Sequence, residues 1–279
     1  MTRHGDTAAA APGLLDELTT IVSHAAEAIV AVRAGAVHAR IKPDKSPVTA
    51  ADDAAEAVIL EGVSRLLPGV PIISEEAWDQ TTRYRLDGDF VLVDPLDGTR
   101  ELLAGRDEFT VNLALISGGK PILGIVAAPA LHVIWRASGK TGAERLALTP
   151  GAPASRAADR AAIRCRAWPQ TRPIAALSLS HLDAETAAFV ARFADLERMS
   201  AGSAIKFCRV AEGVADLYPR LGPTHEWDVA AGHAIVEAAG GSVTRPEGGS
   251  LTYGDAANAF RIASFIAWGD PAAAGRFAR

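Results

Sequence analysis

Two carboxylates crowd the end of an apolar run in VLVDPLDGTREL, residues 91–102. Asp94 and Asp97 are separated only by Pro95 and Leu96, so their charges repel unless a cation lies between them. Glu75 and Glu76 close a second short apolar run, VPIIS, and Asp228 follows Trp227 at the head of WDVAAGHAIVEAAGG. Hard cations such as Mg²⁺ take oxygen ligands and keep water and phosphate in their shells, so carboxylates at strand ends are candidate ligands. Each also has a plainer role. Asp228 suits the first turn of a helix by the macrodipole alone, and an EE pair commonly ends as solvated loop charge. Taken together they suggest more. Two divalent ions about 3.5–4 Å apart can activate a water and stabilise the leaving oxygen of a phosphoryl displacement. The segment GTRELLAG that follows Asp97 is helix-like at its start, where N–H groups could hold a phosphate.

The surrounding patterns say what must position these groups. Leu14, Leu18, Ile21, Val22, Ala25, Ile29 and Val32 recur at helical steps, predicting one helix over 14–40. The two prolines of IKPDKSP break it, and Thr49 opens a second helix closed by Pro68 and Gly69. Thr49 and Asp52 have capping-box spacing, which alone explains an acid at 52. VPIIS and FVLV read as strands. FTVNLALI and PILGIVAAP read as a hairpin through SGGK, continued by LHVIWRA. The Pro, Ala and Gly-rich stretch 149–162 reads as a linker. Beyond it, IAALSLS is a strand, DAETAAFVARF and GSAIKFCRVAEG are helices, and VADLYPR is a strand. The helix from Trp227 ends at Gly240 and Gly241, before strands at 242–244 and 261–267. The division is thus a tail (1–13), an α+β subdomain (14–148) and an α/β subdomain (149–279), two layered units meeting at a cleft.

Composition bounds the function. The 279 residues are 49% hydrophobic and 22% charged, with a formal net charge of −5. That balance argues against a general nucleic-acid binder. Cys165 and Cys208 form no CxxC or metal spacing and read as reduced thiols. Residues 1–13 read as a disordered tail without a secretory signal, and no apolar run is long enough to cross a membrane. The expectation is a cytoplasmic protein.

SEE, DPLDGT and WDVAAGHAIVEAAGG resemble, in order and spacing, three signature regions of the inositol monophosphatase superfamily of Mg²⁺-dependent, lithium-sensitive phosphatases. The resemblance runs from Lys45 to Gly241 and implies an αβαβα sandwich with the metals between two subdomains. It implies that Glu75 and Asp94, with the Leu96 carbonyl, hold one ion, and that Asp94 bridges to another held by Asp97 and Asp228. About two to three Mg²⁺ ions per site are implied. Thr99 would orient the attacking water, Asp52 would accept its proton, and Glu75 counts among the catalytic residues.

Within that superfamily, DKSPVTAAD, SLSH and GSAIKFCRVAEGVADLYPRLGPTHEWD resemble the CysQ-type 3′(2′),5′-bisphosphate nucleotidases. These remove the 3′-phosphate of adenosine 3′,5′-bisphosphate (PAP), giving AMP and phosphate; its sulfated form, PAPS, is a second expected substrate. The substrate set carried over is Lys45, Leu96, Asp97, Gly98, Thr99, His181, Ser203, Lys206, Arg220 and Asp228. A lysine and an arginine suit a second phosphate on charge alone. Ala204 stands where relatives often carry a second serine. Trp135, Trp168 and Trp268 read as core or rim. The resemblance implies a monomer or homodimer with no nucleic-acid partner, peripheral at most on the cytoplasmic face of a membrane, and a link to sulfur assimilation. Two alternatives remain at this level: an inositol or broad sugar-phosphate phosphatase, and a non-catalytic divalent-cation or nucleotide-binding protein.

Overall fold

The computed structural model describes residues 13–277 apart from 36–37, 42–46, 80, 83, 140, 170, 179–181 and 194. Seven helices run in chain order: α1 (Leu14–Arg33), α2 (Ala50–Leu66), α3 (Thr99–Leu103), α4 (Ala184–Val190), α5 (Ile205–Ala211), α6 (Glu226–Ala238) and α7 (Pro271–Phe277). A seven-stranded sheet is built in sequence order from Ile72–Ser74, Phe90–Asp97, Thr110–Ser117, Lys120–Ala128, Val133–Ser138, Gly142–Ala147 and Asp159–Ala162. Only its first pair is parallel; the rest is an antiparallel meander. A five-stranded mixed sheet runs Glu197–Ala201, Ile174–Ser178, Leu217–Arg220, Phe265–Trp268 and Ser242–Thr244.

Strand periodicity explains the layering. In the motif strand, Val91 and Val93 join α1 and α2 in one core cluster, while Phe90 and Leu92 join α5 and α6 in another. Both faces are covered, so these strands read as unbroken apolar runs. The second cluster continues through Tyr218, Phe265 and Ala267 into the five-stranded sheet. That sheet's far face, with Leu217, Ile266 and Trp268, packs against α4 and α7. The result is an αβαβα sandwich with α5 and α6 as its middle layer. Gly124 lets α6 lie directly on the large sheet, since a Cβ there would come within 2.3 Å of the Ala231 carbonyl oxygen. α6 carries Asp228, so this close approach helps set one wall of the site.

Several boundaries differ from the sequence reading. The first helix ends at Arg33 rather than 40, where the apolar rhythm stops. Ala39–Ile41 instead pairs with Pro47–Thr49 as a ribbon. The 149–162 stretch ends in an edge strand, Asp159–Ala162, of the first sheet. Its four residues are all exposed, so no alternation betrays it. Gly142–Ala147 and Glu197–Ala201 are further strands the reading missed, and 261–267 divides between two sheets. Trp135 and Trp268 are core, and Trp168 packs beside Trp268. Both cysteines are free thiols. Among the described residues, no helix is long and apolar enough to cross a membrane. Residues 1–12 of the tail, Lys45 and His181 lie outside the described residues.

Candidate active site

The motif strand answers why two aspartates sit three apart. In a regular strand such residues would face opposite sides of the sheet. Here Asp94 pairs with Asn112 and Asp97 with Thr110, so the motif strand spends one extra residue between the two pairs. This β-bulge at Pro95–Leu96 re-aims the second aspartate. Asp94 and Asp97 therefore share the face turned toward α6, while Leu96 is buried in the opposite cluster with Phe109 and Val111. Leu96 also donates its N–H to Asp94 Oδ1 at 3.0 Å, fixing that carboxylate.

Two helix N-termini complete the acidic wall by the same device. Asp52 and Asp228 each stand three residues after an N-cap, Thr49 and His225. Asp52 Oδ2 accepts the Thr49 N–H at 2.8 Å, and Asp228 Oδ2 accepts the His225 N–H at 2.9 Å. Each cap bond uses one oxygen and leaves the other directed elsewhere. Asp52 Oδ1 accepts from the Thr99 hydroxyl at 3.2 Å, in competition with the Leu96 carbonyl at 3.3 Å. The capping role of Asp52 is real, and it holds the same side chain against Thr99. Thr224 donates its hydroxyl to Asp228 Oδ2.

Oxygens of Glu75, Asp94 and Asp228 lie within 4.8 Å of one another. Burial, then Glu75, Asp97 and Asp228, push the Asp94 carboxyl well above its ordinary range. Burial and Asp228 raise Asp97 to about 6, with Lys206 and Arg220 partly offsetting. Burial also raises Asp52, against hydrogen bonds from Thr49 and Thr99. An all-oxygen cluster of buried Asp94 between half-buried Glu75 and Asp228, whose charges disfavour ionised Asp94, fits a hard divalent cation. Asp97 lies outside the three-residue cluster and lines the same cavity, so the geometry divides the predicted ligands into a tight trio and a neighbour.

That cavity, of about 290 Å³, is lined by the acidic groups of Glu75, Asp94, Asp97 and Asp228 and also by Ser203, Lys206 and Arg220. Leu96, Gly98 and Thr99 also line it. Lys206 is 3% exposed. Its ammonium donates to the Ala201 and Ser203 carbonyls at 3.3 and 2.5 Å and sits 5.1 Å from the Tyr218 ring centroid. Burial lowers it to about 8, with Asp97 partly offsetting. Ser203 holds a left-handed φ of 44°, and its buried hydroxyl has no protein partner. Arg220 donates to the Pro223 carbonyl at 3.3 Å.

Residues 14–266 match the inositol monophosphatase family. The chain belongs to this family. The 3′(2′),5′-bisphosphate nucleotidase CysQ of Escherichia coli K12 is 42% identical over 233 residues, covering 81% of this chain and 88% of the relative. The Salmonella typhimurium LT2 protein of the same name is 44% identical over 234 residues, with the same coverage. Among solved structures, CysQ from Bacteroides thetaiotaomicron superposes with a TM-score of 0.76 at 32% identity, covering 90% of this chain and 95% of that one. An inositol monophosphatase from Anabaena superposes at 0.72 with 24% identity, covering 94% of this chain and 92% of that one, a likeness of fold.

Against this family frame, the sequence reading missed supporting residues. Glu56, one turn after Asp52 on α2, accepts the Ser74 hydroxyl at 2.5 Å and the Ala77 N–H at 2.9 Å, clamping the turn that carries Glu75. Its one-turn spacing from Asp52 was the available signal. Glu101 and Tyr218 also line the cavity; both lie inside motifs quoted from the sequence, but neither type announced a role there.

Proposed function

We propose that this chain is a Mg²⁺-dependent 3′(2′),5′-bisphosphate nucleotidase that removes the 3′-phosphate of PAP to give AMP and phosphate, and accepts PAPS. The observation that carries the reading is one cavity lined both by an acid trio suited to a cation and by buried Lys206 with Arg220, suited to a second phosphate. A monophosphate substrate has no use for the second wall. The names of the CysQ relatives support the same activity.

When bound, about two to three Mg²⁺ ions held by Glu75, Asp94, Asp97, Asp228 and the Leu96 carbonyl supply Lewis-acid polarisation of the ester phosphate and a water of lowered pKa. The chain's own groups do the rest. Thr99 orients the attacking water, and the water's proton passes to Thr99 as the Thr99 proton passes to Asp52. The water oxygen bonds to phosphorus while the bond to the ribose 3′ oxygen breaks, and that oxygen takes a proton from solvent. Burial holds Asp52 above an ordinary aspartate, which makes it a better proton acceptor than a solvated one. Ser203, Lys206 and Arg220 hold the 5′-phosphate, with Lys45 and His181 completing the substrate set. We assign the protein to the cytoplasm as a monomer or homodimer.

Phosphate release from PAP, PAPS, inositol 1-phosphate and fructose 1,6-bisphosphate, each with Mg²⁺ and with added Li⁺, tests the reading. Preference for PAP and PAPS with Li⁺ inhibition is expected. Preference for inositol 1-phosphate would assign the chain to a sugar-phosphate phosphatase, and Mg²⁺ binding with no release from any ester would make it a binding protein.

A further inference from the structure

The strand beside the motif carries two polar residues where its neighbours are apolar. Asn112 stands opposite Asp94 and Thr110 opposite Asp97, on the face turned toward α6. Asn112 is 1% exposed and Thr110 fully buried. Neither the amide nitrogen nor the amide oxygen of Asn112 has a hydrogen-bond partner, and neither does the Thr110 hydroxyl. Among the described residues, the only other such buried side-chain atoms are the hydroxyls of Ser203, in the cavity wall, and Ser242. Unpartnered buried polarity is therefore concentrated around the acidic wall rather than spread through the core.

A buried amide without partners disfavours folding, and a same-shaped apolar residue avoids that penalty. Packing alone gives no reason for asparagine between Ala114 and the bulge. An amide offers two donors and an acceptor. Directly opposed residues on one face have Cβ atoms about 4.5–5.5 Å apart. That spacing suits an amide reaching a neighbouring carboxylate or a water beside it. Asp94 has one oxygen fixed by the Leu96 N–H, and Asn112 is opposed to the same side chain.

We propose that Asn112 is a positioning residue for the cation site, its amide orienting Asp94 and a water of the ion's hydration shell once a cation is present. The proposal rests on Asp94 being a cation ligand. Asn112 is not a ligand itself; it acts through Asp94, and Thr110 supports Asp97 in the same way.

The test is a Mg²⁺ titration of thermal stability without substrate, run on wild type, Asn112→Leu, Asn112→Ser and Asp94→Asn. Outer-sphere hydrogen-bond partners of ligands typically contribute 10- to 100-fold in metal affinity. Asn112→Leu is expected to match or exceed the wild-type melting temperature without metal, yet to need about 10- to 100-fold more Mg²⁺ for half its stabilisation. Asn112→Ser falls between the two. At saturating Mg²⁺ the substrate KM stays within about two-fold of wild type, because the affected contact is to the cation. Wild-type Mg²⁺ midpoints in both Asn112 variants, with Asp94→Asn impaired, would overturn the proposal alone. A wild-type midpoint in Asp94→Asn would overturn the ligand reading beneath it. Should the leucine variant fail to fold, the serine variant decides by the same criterion.

Discussion

The two walls of the cavity are built in different ways. The acidic wall comes from sheet-anchored parts: a bulged strand second from the edge of the large sheet, the turn after its parallel neighbour, and the capped N-termini of α2 and α6. The basic wall comes from the second sheet and its connections, with Lys206 on the short helix α5 and Arg220 at a strand end. Groups on the first wall are held by backbone bonds at the site itself, as for Asp94, Asp52 and Asp228. On the second, a buried ammonium is tethered to two carbonyls and feels the charge of Asp97. The difference separates chemistry from selection. In the proposed nucleotidase the acidic wall carries the hydrolysis and the basic wall selects the ester.

Substitutions should respect that separation. Asp94→Asn, on the acidic wall, is expected to lower kcat by about a thousand-fold or more on every substrate, because it removes the ligand proposed to be shared across the cation site. Turnover near wild type would break the metal assignment. Asp52→Asn should cost about 10²–10⁴-fold in kcat with KM little changed, the size expected for a lost general base. A change mainly in KM would reduce Asp52 to a helix cap. Lys206→Ala should raise KM for PAP by about 10- to 100-fold, the loss of a charge-assisted contact, and leave inositol 1-phosphate kinetics nearly untouched. Equal losses on both substrates would make Lys206 structural and erase the contrast between the walls.

The smallest expected effect is a pH dependence of stability without metal. Asp97 is raised to about 6 by burial and Asp228. Its folded pKa lies above its unfolded value, so the folded state binds more protons between pH of about 4 and 6, and stability from this group rises as pH falls through that window. Near pH 7 the charged Asp97 destabilises the metal-free fold, so Asp97→Asn should melt higher than wild type there. At about pH 5 the gap should shrink. Melting curves of the two proteins without metal at both pH values check this. A gap that widens on acidification would contradict the assigned environment.

How much of this was legible in the sequence follows from how local each feature is. DPLDGT, SEE and WD pointed to the acidic wall because each lies within a few residues and borders a clear apolar pattern, the first two ending one and WD opening one. The capping role of Asp52 was visible as spacing, and Asp228 was visible as an acid in a first helical turn. The bulge was not, since a register shift depends on the partner strand. Yet only the bulge explains how residues three apart come to share a face. Asp159–Ala162 escaped notice because an exposed edge strand needs no alternation. The helix read through residue 40 shows the converse error: it ran past Gly35, the stop signal just beyond Arg33, and into Ala39–Ile41, which tertiary pairing claims for a ribbon. Lys206 and Arg220 were chosen by charge and family likeness. Their convergence on one cavity needed α5 and the second sheet to be assembled, as did the clamp of Glu56 on the turn bearing Glu75.

The central claim is that one cavity cleaves a phosphate while its basic wall reads a second one. The most direct measurement compares kcat/KM for PAP with that for adenosine 3′-monophosphate, which has the same scissile ester and lacks the 5′-phosphate, at saturating Mg²⁺. The account predicts that PAP is preferred by about a hundred-fold or more, equivalent to about 2.7 kcal/mol of selective binding. Equal kcat/KM values for the two nucleotides would contradict it.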